Sequence, residues 1–352
     1  MAVDGDPALE TLFEPFTDGD MAWPRDGGVL FLQARDGWPL HRQPRPGLVC
    51  ATDFKPEADA LLRSGSELQP VDPDPLRRYP LVLLLPPRQR EQGRALFARA
   101  IAATAGGGIV AACAGNDEGA KSAQSDLSRI AGPLHVRSKR HCRVFWSAPL
   151  HGANDPALAA QWADADQPRA IAAGRFLSRP GVFAWDRIDP ASALLAAQLP
   201  PDLAGRGADL GAGFGYLAAE VLARCAGVAA LDLYEADVRA LALARANLAH
   251  AEARVALDFL WHDVTTGLPR SYDFIVSNPP FHAQGRADRP DIGRAFIAAA
   301  ARALREGGRL LLVANRHLPY EFELDAHFGE VRTLAQQGGF KVVEAIKRRA
   351  AR

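Results

Sequence analysis

The sequence predicts an α/β chain of two tandem doubly wound domains, each a mainly parallel sheet covered by helices. Its 352 residues suit two domains at roughly 150 residues each. An internal repetition points the same way. Gly93-Arg94-Ala95 returns 200 positions later as Gly293-Arg294-Ala295, and Gly107-Gly108 returns as Gly307-Gly308. Around each marker the chain reads as apolar strand, Pro-Pro, loop, alanine-rich helix, Gly-Gly stop and second buried strand. Such a β-α-β unit implies a parallel sheet with both faces covered. The copies differ at one chemically important place: Asn278 precedes the second Pro-Pro, whereas Leu85 precedes the first.

The elements follow in order. In the first half an apolar strand at 81–85 leads through Pro86-Pro87 into a helix and a strand ending at Asn116. The stretch 149–171 mixes Pro, Gly and Asp without a sustained strand, which marks the inter-domain connection. The expected division is therefore 1–150, a connecting segment 151–175, and 176–352. The second half reads as strand 207–211, helix 215–225, strand 228–234, helix 236–249, strand 255–261, strand 272–277, helix 290–305 and strand 309–314. A short helix near 319–327 precedes strands 330–337 and 340–347, joined by Gly338-Gly339, a good hairpin turn. Five parallel strands and a terminal hairpin make a seven-stranded sheet with an antiparallel edge.

Composition sets outer bounds. Charged residues make up 23% and the AVILMFWYC set 48%, as in ordinary globular proteins. The longest apolar stretches, 81–85 and 310–314, are strand-sized, and a membrane span needs about 20 residues. The acidic start MAVDGDPALE lacks a basic-then-apolar secretory signal, so a cytoplasmic location without membrane contact is expected. With 41 basic and 41 acidic residues, a nucleic acid would be held by a local patch. The basic tail Lys341–Arg352, with Lys347, Arg348, Arg349 and Arg352, is one candidate. Cys50, Cys113, Cys142 and Cys225 are far apart and read as reduced thiols, with no metal site.

The sharpest motif is ADLGAGFGYLAAE. Gly211, Gly213 and Gly215 follow a strand and open a helix, so the backbone can turn tightly against a ligand. A dinucleotide fingerprint would need glycine at 216, where Tyr216 stands. Asp209 is a poor neighbour for pyrophosphate and a good one for an ammonium group. Glu235 ends the next strand, where its carboxylate can accept both ribose hydroxyls, and Asp263 follows the third, where it can meet an adenine amino group. Ammonium, ribose and adenine without phosphate describe S-adenosyl-L-methionine.

The second motif is Asn278-Pro279-Pro280-Phe281-His282, at the carboxyl end of the strand YDFIVS, the sheet edge where ligands bind. Pro-Pro after a strand is often only a turn, as the Leu85 copy illustrates. Here the chemistry suits an aniline-like NH2, whose delocalised lone pair is a poor nucleophile. The Asn278 carbonyl and the Pro279 backbone carbonyl can accept its two hydrogens and orient the lone pair. Two prolines hold those carbonyls still, and Phe281 offers a face on which a flipped base can stack. Phe183, His282 and Arg316 are further candidates for substrate contact; surface or packing positions would explain them equally.

DLGAGFG with NPPF resembles the class I methyltransferases that modify exocyclic or amide nitrogens on a Rossmann-like fold. With FLSRPGVFAWDRIDPASALL, GGRLLLVANRHLPYEFELDAHFG and GGFKVVEAIKR, the resemblance narrows to the RsmC-type small-subunit ribosomal RNA guanine-N2 methyltransferases. It runs from about Phe176 to the C-terminus, and more weakly through LVLLLPP and GNDEGAKSAQ. It implies two methyltransferase-like domains, the N-terminal one degenerate and the C-terminal one catalytic. Residues 1–150 indeed show neither a GxGxG loop nor Asn before Pro-Pro. It further implies cofactor binding by Asp209, Gly211, Gly213, Gly215, Glu235, Asp263 and Asn278. Asn278, Pro279, Pro280 and Phe281 would position the guanine, in rRNA of the small ribosomal subunit. Glu235 stands where Asp is commoner, a longer side chain that still reaches ribose. A monomer is expected, because two fused domains can mimic a pair of subunits. Alternatives are methylation of large-subunit rRNA, of protein glutamine N5, or a non-catalytic RNA-binding factor on the same fold. Against the glutamine reading stand Phe281-His282, where Tyr is typical; against a retired site stands the joint presence of the loop, Glu235 and Asn278.

Overall fold

The computed structural model describes residues 5–69, 76–280 and 290–348. The chain divides into two compact units, Met1–Gln167 and Pro168–Arg352.

In the first unit the strands are β1 (Val29–Leu32), β2 (Leu48–Ala51), β3 (Glu67–Leu68), β4 (Tyr79–Leu84), β5 (Thr104–Gly115), β6 (Leu134–Lys139) and β7 (Cys142–Ser147). Helices α1 (Pro7–Thr17), α2 (Trp38–His41), α3 (Lys55–Arg63), α4 (Arg90–Ala103), α5 (Ala120–Ala131) and α6 (Pro156–Ala165) accompany them. The sheet order is β3-β2-β1-β4-β5-β7-β6, with β7 antiparallel to both neighbours. The stretch expected as a connection is more structured than its composition suggests. Asp155 caps α6 by accepting from the Leu158 N–H at 3.0 Å, and the helix buries Trp162 in the core beside α4.

The second unit repeats this plan. After the short antiparallel pair β8 (Arg169–Ile171) and β9 (Phe176–Ser178) come β10 (Ala204–Leu210), β11 (Gly227–Glu235), β12 (Ala256–Trp261), β13 (Tyr272–Ser277), β14 (Leu304–Asn315), β15 (Phe328–Gln337) and β16 (Phe340–Lys347). Its helices are α7 (Pro190–Ala197), α8 (Tyr216–Arg224), α9 (Val238–Leu248), α10 (Pro290–Ala303) and α11 (Glu321–His327). The order β12-β11-β10-β13-β14-β16-β15 matches the first unit strand for strand. Helix α10 and strand β14 each begin 200 positions after α4 and β5, so the repetition in sequence is a repetition in structure.

The reason this sheet forms is visible in its strands, which are apolar on both faces as parallel sheets require. Leu231, Leu233, Leu311 and Val313 pack with Leu195 of α7, Val221 of α8 and Leu248 of α9. Leu210, Tyr234, Leu310 and Leu312 pack with Phe296 and Ile297 of α10 and Leu324 of α11 on the other side. Among the described strands of this sheet only β16, joined to β15 by Gly338 and Gly339 at positive φ, runs antiparallel to its neighbours.

The described part of the basic tail is hydrogen-bonded within the fold. Lys341 is only 5% exposed and donates to the Leu318 carbonyl and the Glu321 carboxylate. Lys347 donates to the Ala301 carbonyl at 2.7 Å, and the exposed Arg348 to the Phe328 and Asp325 carbonyls. These bonds tie β16 to α10, α11 and β15, and of the three only Lys341 is paired with a carboxylate among the described residues. Arg349 and Arg352 lie outside the described residues. Among the described residues no helix is long and apolar enough to cross a membrane.

Candidate active site

The strand order places the site. Chain direction across the sheet reverses between β10 and β13, and ligands of open α/β sheets bind in the crevice beyond the carboxyl ends at such a switch point. Leu210 pairs with Ser277, and the Ser277 hydroxyl donates to the Leu210 carbonyl at 2.8 Å. The two motifs therefore leave the sheet side by side. A Cβ on Gly211 would lie 3.8 Å from the Asn278 backbone oxygen.

The glycine loop is held from beneath. Gly211, Gly213 and Gly215 all have positive φ. At Gly215 a side chain would also press on Ala244 of α9, with its Cβ only 3.2 Å from the Ala244 Cα. The Gly211 and Ala212 N–H groups donate to the Tyr234 carbonyl, while the Gly213 N–H donates to Glu235 Oε2 at 2.7 Å. Glu235 Oε1 accepts from the Asp237 N–H at 2.8 Å, so one carboxylate bridges the loop and the start of α9. Burial pushes the Glu235 carboxyl above its ordinary range, against the pull of those two N–H groups.

Asp209, on β10 two residues before Gly211, is fully buried. Its Oδ2 accepts from the Ala218 N–H in the first turn of α8 at 3.0 Å, and its Oδ1 is buried without a hydrogen-bond partner among the described residues. Burial, with a smaller contribution from the Glu235 charge, raises its pKa to about 7.

Asp263 stands at the same edge, two residues beyond Trp261, which pairs with Glu235. Its Oδ1 caps a single helical turn by accepting from the Thr265 N–H and hydroxyl at 2.9 and 2.6 Å. Pro279 is buried and Pro280 exposed. Phe183 is 66% exposed on a loop anchored by the buried Val182 and by Arg239, which donates to the Pro180 carbonyl. Arg316 is exposed at the end of β14, its N–H donating to the Gly339 carbonyl. Phe281 and His282 lie outside the described residues.

Sequence reasoning missed what holds Asn278. Its side-chain nitrogen donates to Asp189 Oδ2 at 3.0 Å and to Ser192 Oγ at 2.8 Å, and its Oδ1 is buried without a partner among the described residues. Asp-Pro-Ala-Ser reads in sequence as a helix start, which it is, since Asp189 also accepts from the Ser192 N–H. Nothing local announces a contact with a residue 89 positions on.

At the corresponding edge of the first unit other residues stand. After β1 come Gln33, Ala34 and Arg35; Gln33 donates to Asp53, and Arg35 pairs with Asp6. Leu85, the counterpart of Asn278, is buried in the apolar core.

A glycine loop bridged by a strand-end carboxylate, beside Asn-Pro-Pro at the switch point of this sheet order, defines a class I methyltransferase. Comparison with known proteins carries this further. The methyltransferase small domain family matches residues 173–344. Ribosomal RNA small subunit methyltransferase C of Pseudomonas aeruginosa (strain UCBPP-PA14) is 34% identical over 322 residues, 92% of each chain. That of Pseudomonas paraeruginosa is 33% identical over 271 residues, 77% of this chain and 80% of the relative. Among solved structures, the T. thermophilus 16S rRNA N2 guanine methyltransferase RsmC, in complex with AdoMet and guanosine, superposes with a TM-score of 0.78. That match has 26% identity and covers 97% of this chain and 92% of the other. The chain belongs to the ribosomal RNA small subunit methyltransferase C family, a family of S-adenosylmethionine-dependent rRNA methyltransferases.

Proposed function

We infer that the chain transfers a methyl group from S-adenosylmethionine to the exocyclic N2 of a guanine in small-subunit ribosomal RNA. One observation carries the reading: Asn278, whose backbone borders the glycine loop at the sheet's switch point, has a buried side-chain oxygen with no hydrogen-bond partner among the described residues. An orphaned buried acceptor is costly, about 1–3 kcal/mol, and persists where a ligand completes it.

The residues fit the cofactor. Asp209 Oδ1, buried and unpartnered, suits a cationic ammonium. Each Glu235 oxygen accepts one N–H and keeps a further lone pair for a ribose hydroxyl. Asp263 retains its second oxygen for an adenine amino group. Among the described residues, its chain neighbours aside, no atom lies within 4 Å of a Cβ built on Gly213, which leaves room for a ligand against the loop. When bound, the cofactor supplies an electrophilic methyl on a sulfonium.

The chain's own work is on the amine. Asn278 Oδ1 and the Pro279 carbonyl accept its two N–H hydrogens, which turns the lone pair out of conjugation and toward the methyl. As the N–C bond forms, the C–S bond breaks with its electron pair left on sulfur, and the nitrogen then gives one proton to water. The two carbonyls favour the positive charge developing on nitrogen, an effect that grows in a site sheltered from solvent. Phe281 is proposed to stack on the base, and Phe183, His282 and Arg316 to line the substrate mouth. The first unit, with Leu85 in the place of Asn278, is proposed to be degenerate and to contribute to RNA recognition.

The test is transfer of labelled methyl to small subunits made without this enzyme, with large subunits in parallel and digestion to nucleosides. Label in N2-methylguanosine from small subunits alone is expected; label from large subunits only would overturn the substrate. Cofactor binding is tested apart from activity. Glu235→Ala removes the bridge to Gly213 and Asp237 and is expected to weaken S-adenosylhomocysteine binding roughly 100-fold by calorimetry, as lost charge-assisted hydrogen bonds of about 1.5–3 kcal/mol predict. An unchanged affinity would remove Glu235 from the site.

A further inference from the structure

We propose that Asp189 and Ser192 are positioning residues that fix which way the Asn278 amide faces. This inference depends on the part given to Asn278 above and assigns what makes that part possible.

An asparagine amide can turn over, exchanging a hydrogen-bond acceptor for a donor in nearly the same volume. With the oxygen toward the substrate, Asn278 accepts from an NH2 group; with the nitrogen toward it, the residue repels the same group. The structure provides a means of choosing. A carboxylate offers only acceptors, so Asp189 Oδ2 beside the amide tolerates the nitrogen and rejects the oxygen. Ser192 Oγ takes the second amide hydrogen at 2.8 Å, while the first reaches Asp189 at 3.0 Å. Both donors of Asn278 are thereby used, and its oxygen alone is left facing away from them, buried and unpartnered.

The two partners are held as a unit. Asp189 is the N-cap of α7, and the oxygen that accepts from Asn278 also accepts from the Ser192 N–H at 2.8 Å. Helix α7 is anchored by Leu195 and Ala196, both in the core against α8 and β14. The cap therefore does two things with one oxygen: it starts a helix and orients the amide of a distant residue.

Those two tasks are separable by substitution. Asp189→Ser keeps a capping oxygen, because Ser and Asp are comparable N-caps, but is too short to reach Asn278. Asp189→Asn keeps both the cap and a carbonyl oxygen at the amide. Single-turnover methyl transfer to small subunits, S-adenosylhomocysteine affinity and melting temperature are measured for Asp189→Ser, Asp189→Asn and Ser192→Ala. Partners that orient metal ligands matter roughly 10–100-fold, and the same order is taken for partners that orient this amide. Asp189→Ser is thus expected to slow the transfer roughly 10–100-fold, with KM and cofactor affinity within about twofold of wild type. Asp189→Asn is expected to recover most of the rate, and Ser192→Ala to fall between them.

A wild-type rate in Asp189→Ser would overturn the inference. So would a rate loss in Asp189→Asn equal to that in Asp189→Ser, or losses that track melting temperature alone. Asn278→Ala is run alongside: a slow Asn278→Ala with a fast Asp189→Ser sinks only this inference, whereas a fast Asn278→Ala sinks the reading of Asn278 itself.

Discussion

Asn278→Ala is expected to slow methyl transfer by roughly 10²–10³-fold while cofactor affinity changes little. The magnitude is that of removing one preorganised partner from a transition state in a sheltered site. The sign follows from where the residue stands. Its oxygen has no partner among the described residues, so truncation takes that acceptor from the reacting group and relieves an unsatisfied polar atom. It also removes the two hydrogen bonds from the amide nitrogen to Asp189 and Ser192, so stability is expected to fall by about 1–3 kcal/mol, although Asp189 keeps the Ser192 N–H bond that caps α7. Because the lost contact matters most as charge builds on nitrogen, kcat and kcat/KM should fall together. Single-turnover rates and calorimetry with S-adenosylhomocysteine separate the two quantities. A variant as fast as wild type would refute the mechanism, and one that binds cofactor 100-fold less well would move Asn278 from the reacting group to the cofactor.

The second large effect concerns Asp209. Its carboxyl titrates near 7 when folded and near 3.8 when not, because burial disfavours the charged form. The folded protein therefore holds one more proton between about pH 4 and pH 7, and this group subtracts stability as pH rises through that window. Asp209→Asn has no such charge. It is expected to melt higher than wild type at pH 8, by an amount equivalent to at most about 4 kcal/mol, and at the same temperature near pH 4. Cofactor binding should respond in the opposite sense. A cation requires the carboxylate, so wild-type affinity should rise between pH 5.5 and 7.5, while that of Asp209→Asn stays low and flat. Thermal melts with and without cofactor across pH measure both. A melting difference that is the same at every pH would show that the buried charge is not its cause. A pH-dependent affinity in the variant would place the titrating group elsewhere. A destabilising carboxylate retained at a binding site is an ordinary exchange of stability for function.

Much of the site was legible because its signals are local. Three glycines at alternate positions after a strand report a tight turn whatever the rest of the chain does, and all three adopt positive φ. Glu235 and Asp263 follow strand ends, which the apolar runs before them disclose. The difference between Asn278 and Leu85 is also local, and it separates a strand end at a ligand site from one in a core. What could not be read were partners. Lys341 and Lys347 look in sequence like members of a basic tail, yet β16 enters the sheet between β14 and β15 and carries both onto carbonyl oxygens of neighbouring elements. Likewise the mixed composition of 151–175 conceals α6, a helix of ten residues whose core-facing side is only Leu158, Ala159 and the buried Trp162, too short a stripe to stand out between Pro, Gly and Asp.

The sequence by itself determined the order of strands and helices from residue 207 onward, the glycine loop and the Asn-Pro-Pro end of β13. Each is written in residues a few positions apart, where backbone sterics and periodicity suffice, and the repetition shows on setting the segment at 81–116 beside its copy 200 positions on. Only the tertiary structure decided that Asp189 and Ser192 hold the Asn278 amide, that Asp209 is buried deeply enough to titrate near 7, and that Lys341 and Lys347 bond to carbonyls of the fold. Those outcomes depend on which strand lies beside which, and hydrogen-bond partners and desolvation follow position in space, not position in the chain.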